Sequence, residues 1–290
     1  MAAGKGNRII LDPVRPSAAV RARVQKELLK RWEFMRGQVE QIIDLYRRIR
    51  AAQDAADQKA KDGKKPFQDS AATESVDRLV AQAQKLLRKM RNDFNRQFPA
   101  PEDDKLAEEF IRWCNTDTER RNKLAFKRAV KDFTVRIQMT RQKKALLRAA
   151  AGEAAGLIKS LGSKAQDDLA EAVNRCLLEG RNLGELTEAV QKVLHSTRRR
   201  AINIAFDQVN KVEAAVDRQI KLDLGLNRAI WRHSHAYVKT KPRASHVAAD
   251  GKEFDLARGC KIDGEYLYPA QAPFCGCFSQ AVLTLPEVKE

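Results

Sequence analysis

No stretch of the chain is apolar for long enough to cross a bilayer. The N-terminal MAAGKGNRIILDPVRPSAAV also lacks the apolar core of a secretory signal. A membrane partner is therefore not expected, and a reducing cytoplasm is the expected compartment of synthesis. Cysteine is scarce and odd in number: Cys114, Cys176, Cys260, Cys275 and Cys277. Such a set does not read as a disulfide framework, so the thiols are expected to be small buried groups or metal ligands. There is no Gly-rich phosphate loop and no HExxH helix, which removes P-loop nucleotide hydrolysis and zincin chemistry as readings. Aromatic residues make up only 6% of the chain.

What fills the sequence instead is Ala, Leu, Arg, Lys, Gln and Glu, the residues that lose least side-chain entropy in a helix. The expected class is mainly α. The formal charge of +17 is unevenly placed, with 35 Lys/Arg against 20 Asp/Glu in residues 1–150 and 20 against 18 in residues 151–290. A basic half joined to a near-neutral half suggests a polyanion, DNA or an acidic protein surface, as partner of the first. Acidic residues are interleaved throughout, so a solvated helical face is the plain alternative.

Hydrophobic spacing divides the chain into an extended arm (1–16), a basic long-helix, coiled-coil-like region (17–148) and a C-terminal region (149–290). Val20, Val24, Leu28, Trp32, Met35, Val39, Ile42, Tyr46 and Ile49 draw one stripe along a long helix with Ser17 as its N-cap. Val76, Leu79, Ala83, Leu86, Met90 and Phe94 draw a second, stopped by the prolines of FPAPEDD. A third starts near Asp104, breaks at the polar NTDTERRN and resumes over Phe126, Val130, Phe133 and Ile137. These helices are expected to pair antiparallel. The first stripe has no obvious complete mate, which points to a partner. Beyond residue 150, short helices are expected with ends near Gly162 and Gly180, then a helix opened by Ser196 or Thr197 and closed by Gly225. The chain then becomes strand and loop, a small α+β unit with a short hairpin over GEYLYPAQAPFCGCFSQAVLTLP.

Three segments of that second half occur in a recognisable order: LIKSLGSKAQDDLAEAVNRCLLEGRNLGELTEAV, RRRAINIAFDQVNKVEAAVDRQIKLDLG, and AIWRHSHAYVKTKPRASHVAADGKEFDLARG with YPAQAPFCGCFSQAVL. Over residues 150–285 the chain resembles the head-morphogenesis domain of tailed bacteriophages, the family of protein F of phage Mu. Asp207, Gln208, Asn210 and Lys211 match its DQxNK helix. Trp231, His233, His235, Arg243, His246, Gly251 and Lys252 match its His-rich segment, and Cys275 and Cys277 its terminal cysteine pair. Phe206 stands where an arginine is common, Phe274 where an asparagine is, and Gly276 where an arginine is. The resemblance implies a non-enzymatic minor capsid protein that associates with the portal, procapsid and scaffold. Such a protein is located in the virion, at the capsid interior or portal vertex, and in some phages it contacts double-stranded DNA.

The residues themselves leave several chemistries open. His246, Cys275, Cys277 and His235 are a candidate zinc set, because zinc takes about four N or S donors and a small strand-poor domain gains from such a tie. In the structural alternative, the two cysteines alternate on a strand and Asp250-Gly251 is only a turn. As an enzyme, the same cluster with Asp250 suits a metal-dependent nuclease or hydrolase. Arg198, Arg199 and Arg200, with Lys143 and Lys144, are candidate contacts to phosphate or to a protein partner. Such contacts position the nucleic acid without reading sequence, which also fits a stand-alone nonspecific DNA-binding protein. Trp32 and Trp113 lie on the apolar seams and are expected in the core, with Trp231 as an anchor of the His-rich loop.

Overall fold

The computed structural model describes residues 8–61, 69–130, 134–179, 183–235 and 241–284; within them the side chains of 49–50, 52–57, 59–61, 69–77 and 79 are left undescribed, so Ile49, Val76 and Leu79 lie outside the described side chains, as Phe133 and Gly180 lie outside the described residues. The described elements are β1 (Arg8–Ile10), α1 (Ala18–Lys61), α2 (Asp69–Gln97), α3 (Ala100–Ala129), α4 (Arg141–Leu178), α5 (Leu183–Asp223), β2 (Arg228–Arg232), α6 (Ala244–Ala248), β3 (Glu253–Asp255), β4 (Cys260–Ile262), β5 (Glu265–Leu267) and β6 (Phe278–Thr284). The fold is mainly α with a small C-terminal α+β region.

Helix boundaries follow local chemistry where a cap is present. The Ser17 hydroxyl accepts the Val20 N–H at 3.2 Å and so opens α1. Between α2 and α3 only Phe98 and Pro99 intervene. The Pro99 carbonyl accepts the Glu102 N–H at 2.9 Å, and Glu102 and Asp103 put negative charge in the first turn. Gly225, at φ +78, ends α5, and the Leu226 N–H reaches back to the Lys221 carbonyl at 2.9 Å. That bond and that left-handed glycine make a Schellman end.

Several expected breaks are absent. NTDTERRN continues α3 without interruption, while residues 134–140 are not helical. The helix is held through its polar run because Asn122, itself buried, bonds the Thr118 carbonyl at 3.0 Å and the Asp217 carboxylate at 3.0 Å. Ser196 and Thr197 cap nothing: their hydroxyls bond the Val193 carbonyl within α5. Gly162 ends nothing either. It sits inside α4, where an added Cβ would lie 2.5 Å from Cε1 of Phe94. The glycine is there for close helix packing.

The chain forms two compact units, and neither is one run of sequence. One unit comprises 26–103 and 156–202. Its core joins Met35, Val39, Ile42, Ile43 and Tyr46 of α1 to Ala83, Met90 and Phe94 of α2. Ala165, Leu169, Val173 and Cys176 of α4 and Leu186, Val190 and Leu194 of α5 complete it. The first stripe thus finds its mates within the chain, from α2 and from two helices more than a hundred residues later.

The other unit comprises 1–25, 104–155 and 203–290. It holds an antiparallel sheet in the order β1-β6-β2-β3. In that sheet Trp231 of β2 stands opposite Ser279 of β6, and Ile9 of β1 opposite Leu283. The short hairpin is β4-β5, turned by Asp263 (φ +51) and Gly264 (φ +87), an Asp-Gly pair in the conformation two-residue hairpin loops require. β6 does not join that hairpin. It pairs with β2 and β1 instead. Leu11, Phe126, Leu226, Trp231, Phe254 and Leu256 form much of the core beneath this sheet.

Candidate functional site

The site grows from one face of α5. Asp207 and Asn210, three residues apart, stand on neighbouring positions of that face. The Asp207 carboxylate accepts the backbone N–H of Phe274 at 2.8 Å, and the Asn210 side chain donates to the Cys275 carbonyl at 3.2 Å. Lys211 pairs with Asp207 at 2.8 Å, and Gln208 donates to Glu153 at 3.0 Å. The helix therefore holds the loop that carries both cysteines. That loop needs holding: Phe274 (φ +56) and Ala270 (φ +62) are non-glycine residues in the left-handed region. Gly276 packs closely on Ser234, whose hydroxyl a Cβ there would meet at 2.8 Å.

The His-rich segment supplies the opposite wall. Trp231, fully buried, donates its backbone N–H to the Lys252 carbonyl at 2.8 Å and accepts the Gly251 N–H at 2.9 Å, which joins β2 to the turn that follows α6. Gly251, at φ +82, makes the return. The Asp250 carboxylate accepts the His233 N–H at 3.0 Å and faces His235 Nε2 at 3.0 Å. Burial pushes its pKa up, but these hydrogen bonds outweigh that and hold it below the usual carboxylate range. Arg243, just before α6, donates to the Pro273 carbonyl at 3.0 Å and so ties α6 to the cysteine loop. His246 on α6 is buried and edge-on to the Trp231 ring, with centroids 5.3 Å apart.

The two walls meet at three side chains. His246 Nδ1 lies 3.5 Å from the Cys275 sulfur and 3.7 Å from the Cys277 sulfur, and all three ligand atoms lie within 4.8 Å of one another. The cysteines precede β6 rather than alternating along it. Hydrogen bonding from Cys277 pulls the Cys275 thiol down to about 5, against the opposing effect of burial, while the Cys277 thiol is pushed up by the same pairing and by burial. One imidazole and two sulfurs suit a soft metal ion, a thiol–disulfide couple or a nucleophile.

His235 does not join this group. It is exposed and engaged with Asp250. Arg199 is exposed, and Arg198 is exposed with its guanidinium 5.6 Å from the Trp32 ring centroid. Arg200 donates to Ser160 at 3.0 Å. Lys144 is exposed, whereas Lys143 is wholly buried and paired with Glu119. Trp32 and Trp113 are half-buried, and Trp32 packs against the core of its unit. Arg36 and Arg198 lie over the ring of Trp32 and Arg23 over that of Trp113, and the indole of Trp32 bonds the Leu194 carbonyl at 2.9 Å.

Two buried polar networks have no counterpart in the sequence reading. Glu213 accepts the Ser17 N–H at 2.6 Å and Arg121 at 2.8 Å. Lys221 pairs with Asp217 at 2.5 Å and donates to the Ser279 carbonyl at 2.9 Å, which pins β6 to α5. The signal for both was Glu213, Asp217 and Lys221 at four-residue spacing, a charged row on a helix face otherwise written for burial. Phe206, the departure from the family arginine, carries the Arg21 guanidinium 4.3 Å above its ring.

Residues 167–279 match the family model of the Phage Mu protein F like proteins, a span that includes α5, the His-rich loop and the cysteine pair. The resemblance to phage head-morphogenesis proteins is thereby shown for that part of the chain. A curated uncharacterized protein of Haemophilus influenzae (strain Rd) is 30% identical over 101 residues, 35% of this chain and 22% of its own length. The chain thus spans about a fifth of that relative. No solved structure matches.

Proposed function

We propose that the chain is a structural head-morphogenesis protein of a tailed phage, a minor component of the virion that docks on the portal or the procapsid during assembly. One observation carries the reading. The residues matched to the phage family do not lie scattered; Asp207, Asn210, Trp231, Arg243, His246, Cys275 and Cys277 interlock in one small construction. Their bonds go mostly to backbone atoms, which is how residues hold a shape that another protein recognises. No described helix is long and apolar enough to cross a membrane, and this fits assembly on a protein shell. The excess of Lys and Arg in residues 1–150, with Lys144, Arg198 and Arg199 exposed, favours additional contact with packaged DNA through its phosphates.

The test is sedimentation of the purified chain with portal rings and with procapsids assembled without it, and mass spectrometry of heads from the phage that encodes it. Co-sedimentation with either particle and presence in finished heads are expected. Absence from heads together with failure to bind both particles overturns the proposal. Duplex binding measured against salt concentration separates the DNA contact from the docking.

A further inference from the structure

We propose that His246, Cys275 and Cys277 bind one zinc ion, with the fourth coordination position open to solvent.

The donor geometry carries this. Zinc–sulfur bonds of about 2.3 Å and zinc–nitrogen bonds of about 2.0–2.1 Å at the tetrahedral angle place sulfur and nitrogen about 3.6 Å apart. The two sulfurs lie 3.5 and 3.7 Å from the same Nδ1. Hydrogen bonds to the imidazole account for one of these two approaches only, because a neutral imidazole nitrogen offers one lone pair along one direction, and two thiols cannot both donate along it. A single cation at the tip of that lone pair satisfies all three atoms at once. The fully buried indole N–H of Trp231, whose ring lies edge-on to His246 with centroids 5.3 Å apart, also has no hydrogen-bond partner among the described residues.

Two thiolates and one imidazole favour zinc over magnesium or calcium, which take oxygen donors. Among the described residues no other His, Cys, Asp or Glu joins the three. A cavity of about 40 Å³, lined by His233, Ser234 and Gly276 together with the three ligands, opens beside them. That is room for one water molecule, which needs at least about 10–15 Å³. In this proposal the fourth donor is solvent or a small exogenous ligand. On binding, two thiols lose their protons to solvent and become zinc thiolates; nothing is oxidised or reduced. The ion links α6 to the entry of β6, the same two segments that Arg243 joins through Pro273.

The experiment uses the full chain, purified under reducing conditions without chelator. Elemental analysis should give close to one zinc per chain. Zinc should slow alkylation of Cys275 and Cys277 by about tenfold or more and chelation should restore it, with Cys114, Cys176 and Cys260 as unaffected references in the same molecule. The cobalt-substituted protein should show thiolate charge-transfer and tetrahedral ligand-field bands, and added thiocyanate should shift the latter if the fourth position is open. His235→Ala should keep the metal, whereas Cys275→Ser/Cys277→Ser should lose it. The alkylation arm needs no variant, so misfolding of the double serine variant leaves the result readable. Protein that takes up no zinc, alkylation indifferent to zinc, or a Cys275–Cys277 disulfide in protein prepared with reductant overturns the site. A cobalt spectrum unmoved by thiocyanate overturns the open position.

Discussion

Asn210, buried in the middle of α5, donates its side-chain amide to the backbone carbonyl of Cys275 at 3.2 Å. Sixty-five residues separate the two in sequence. One helix side chain thus fixes the loop from which both thiols approach His246. Asn210→Ala leaves that carbonyl without its donor and should cost about 1–3 kcal/mol, the penalty for an orphaned buried polar group. Urea unfolding measures it, and an unchanged midpoint would show that the loop does not depend on α5.

Three glycines of α4 should behave differently. A Cβ at Gly162 meets the Phe94 ring at 2.5–2.7 Å, so Gly162→Ala should destabilise by about 1–3 kcal/mol. Gly152 and Gly156 have nothing within 4 Å, and alanine there should stabilise by about 0.5–1 kcal/mol through helix propensity. Thermal melts of the three variants make the comparison. Combining Gly162→Ala with Phe94→Ala should cost less than the sum of the two changes, because the cavity accepts the methyl group.

Lys143 and Arg199 separate folding from surface charge. Lys143 is buried against Glu119, so Lys143→Ala should cost about 3 kcal/mol or somewhat less, since Glu119 keeps some solvent. Arg198→Glu/Arg199→Glu should leave stability within about 0.5 kcal/mol while weakening duplex binding and flattening its salt dependence. Duplex binding that survives the double glutamate change unaltered would remove these arginines from the proposed contact with DNA.

Glu213 gives a pH dependence. Burial raises its pKa, and the nearby Arg121 and the Ser17 N–H only partly offset that. The folded protein therefore holds the proton more tightly than the unfolded chain does. Stability should fall as pH rises from about 4.5, the ordinary value, through the higher folded value, and then level off. Glu213→Gln should flatten that segment of the curve. Denaturant midpoints recorded across the range test it; a slope of the opposite sign would mean that the Arg121 pair outweighs burial.

Much of the fold was legible in sequence because it is local or periodic. Ser17 was readable as a cap, Gly225 as a helix end, and Val24, Leu28, Met35 and Val39 as one buried stripe, since three-four spacing and terminal chemistry act over a few residues. The chemistry of the site was legible in part. His246, Cys275 and Cys277 stood out as metal-ligand types, but His235 looked equivalent to them until Asp250 was seen to hold it. Lys143 looked like a surface cation for the same reason: burial is not written in a residue's own letters.

What tertiary structure alone decided is which distant segments meet. α4 and α5 join α2 in covering the α1 stripe, and the charged row Glu213, Asp217 and Lys221 is buried because Ser17, Arg121 and Ser279 complete its bonds. Gly162 reads as a break until Phe94 is found in the space a side chain would fill. Local composition determines where a helix can form and which face is apolar. Whether a polar or missing side chain ends that helix or is compensated depends on partners far along the chain, and only folding supplies them.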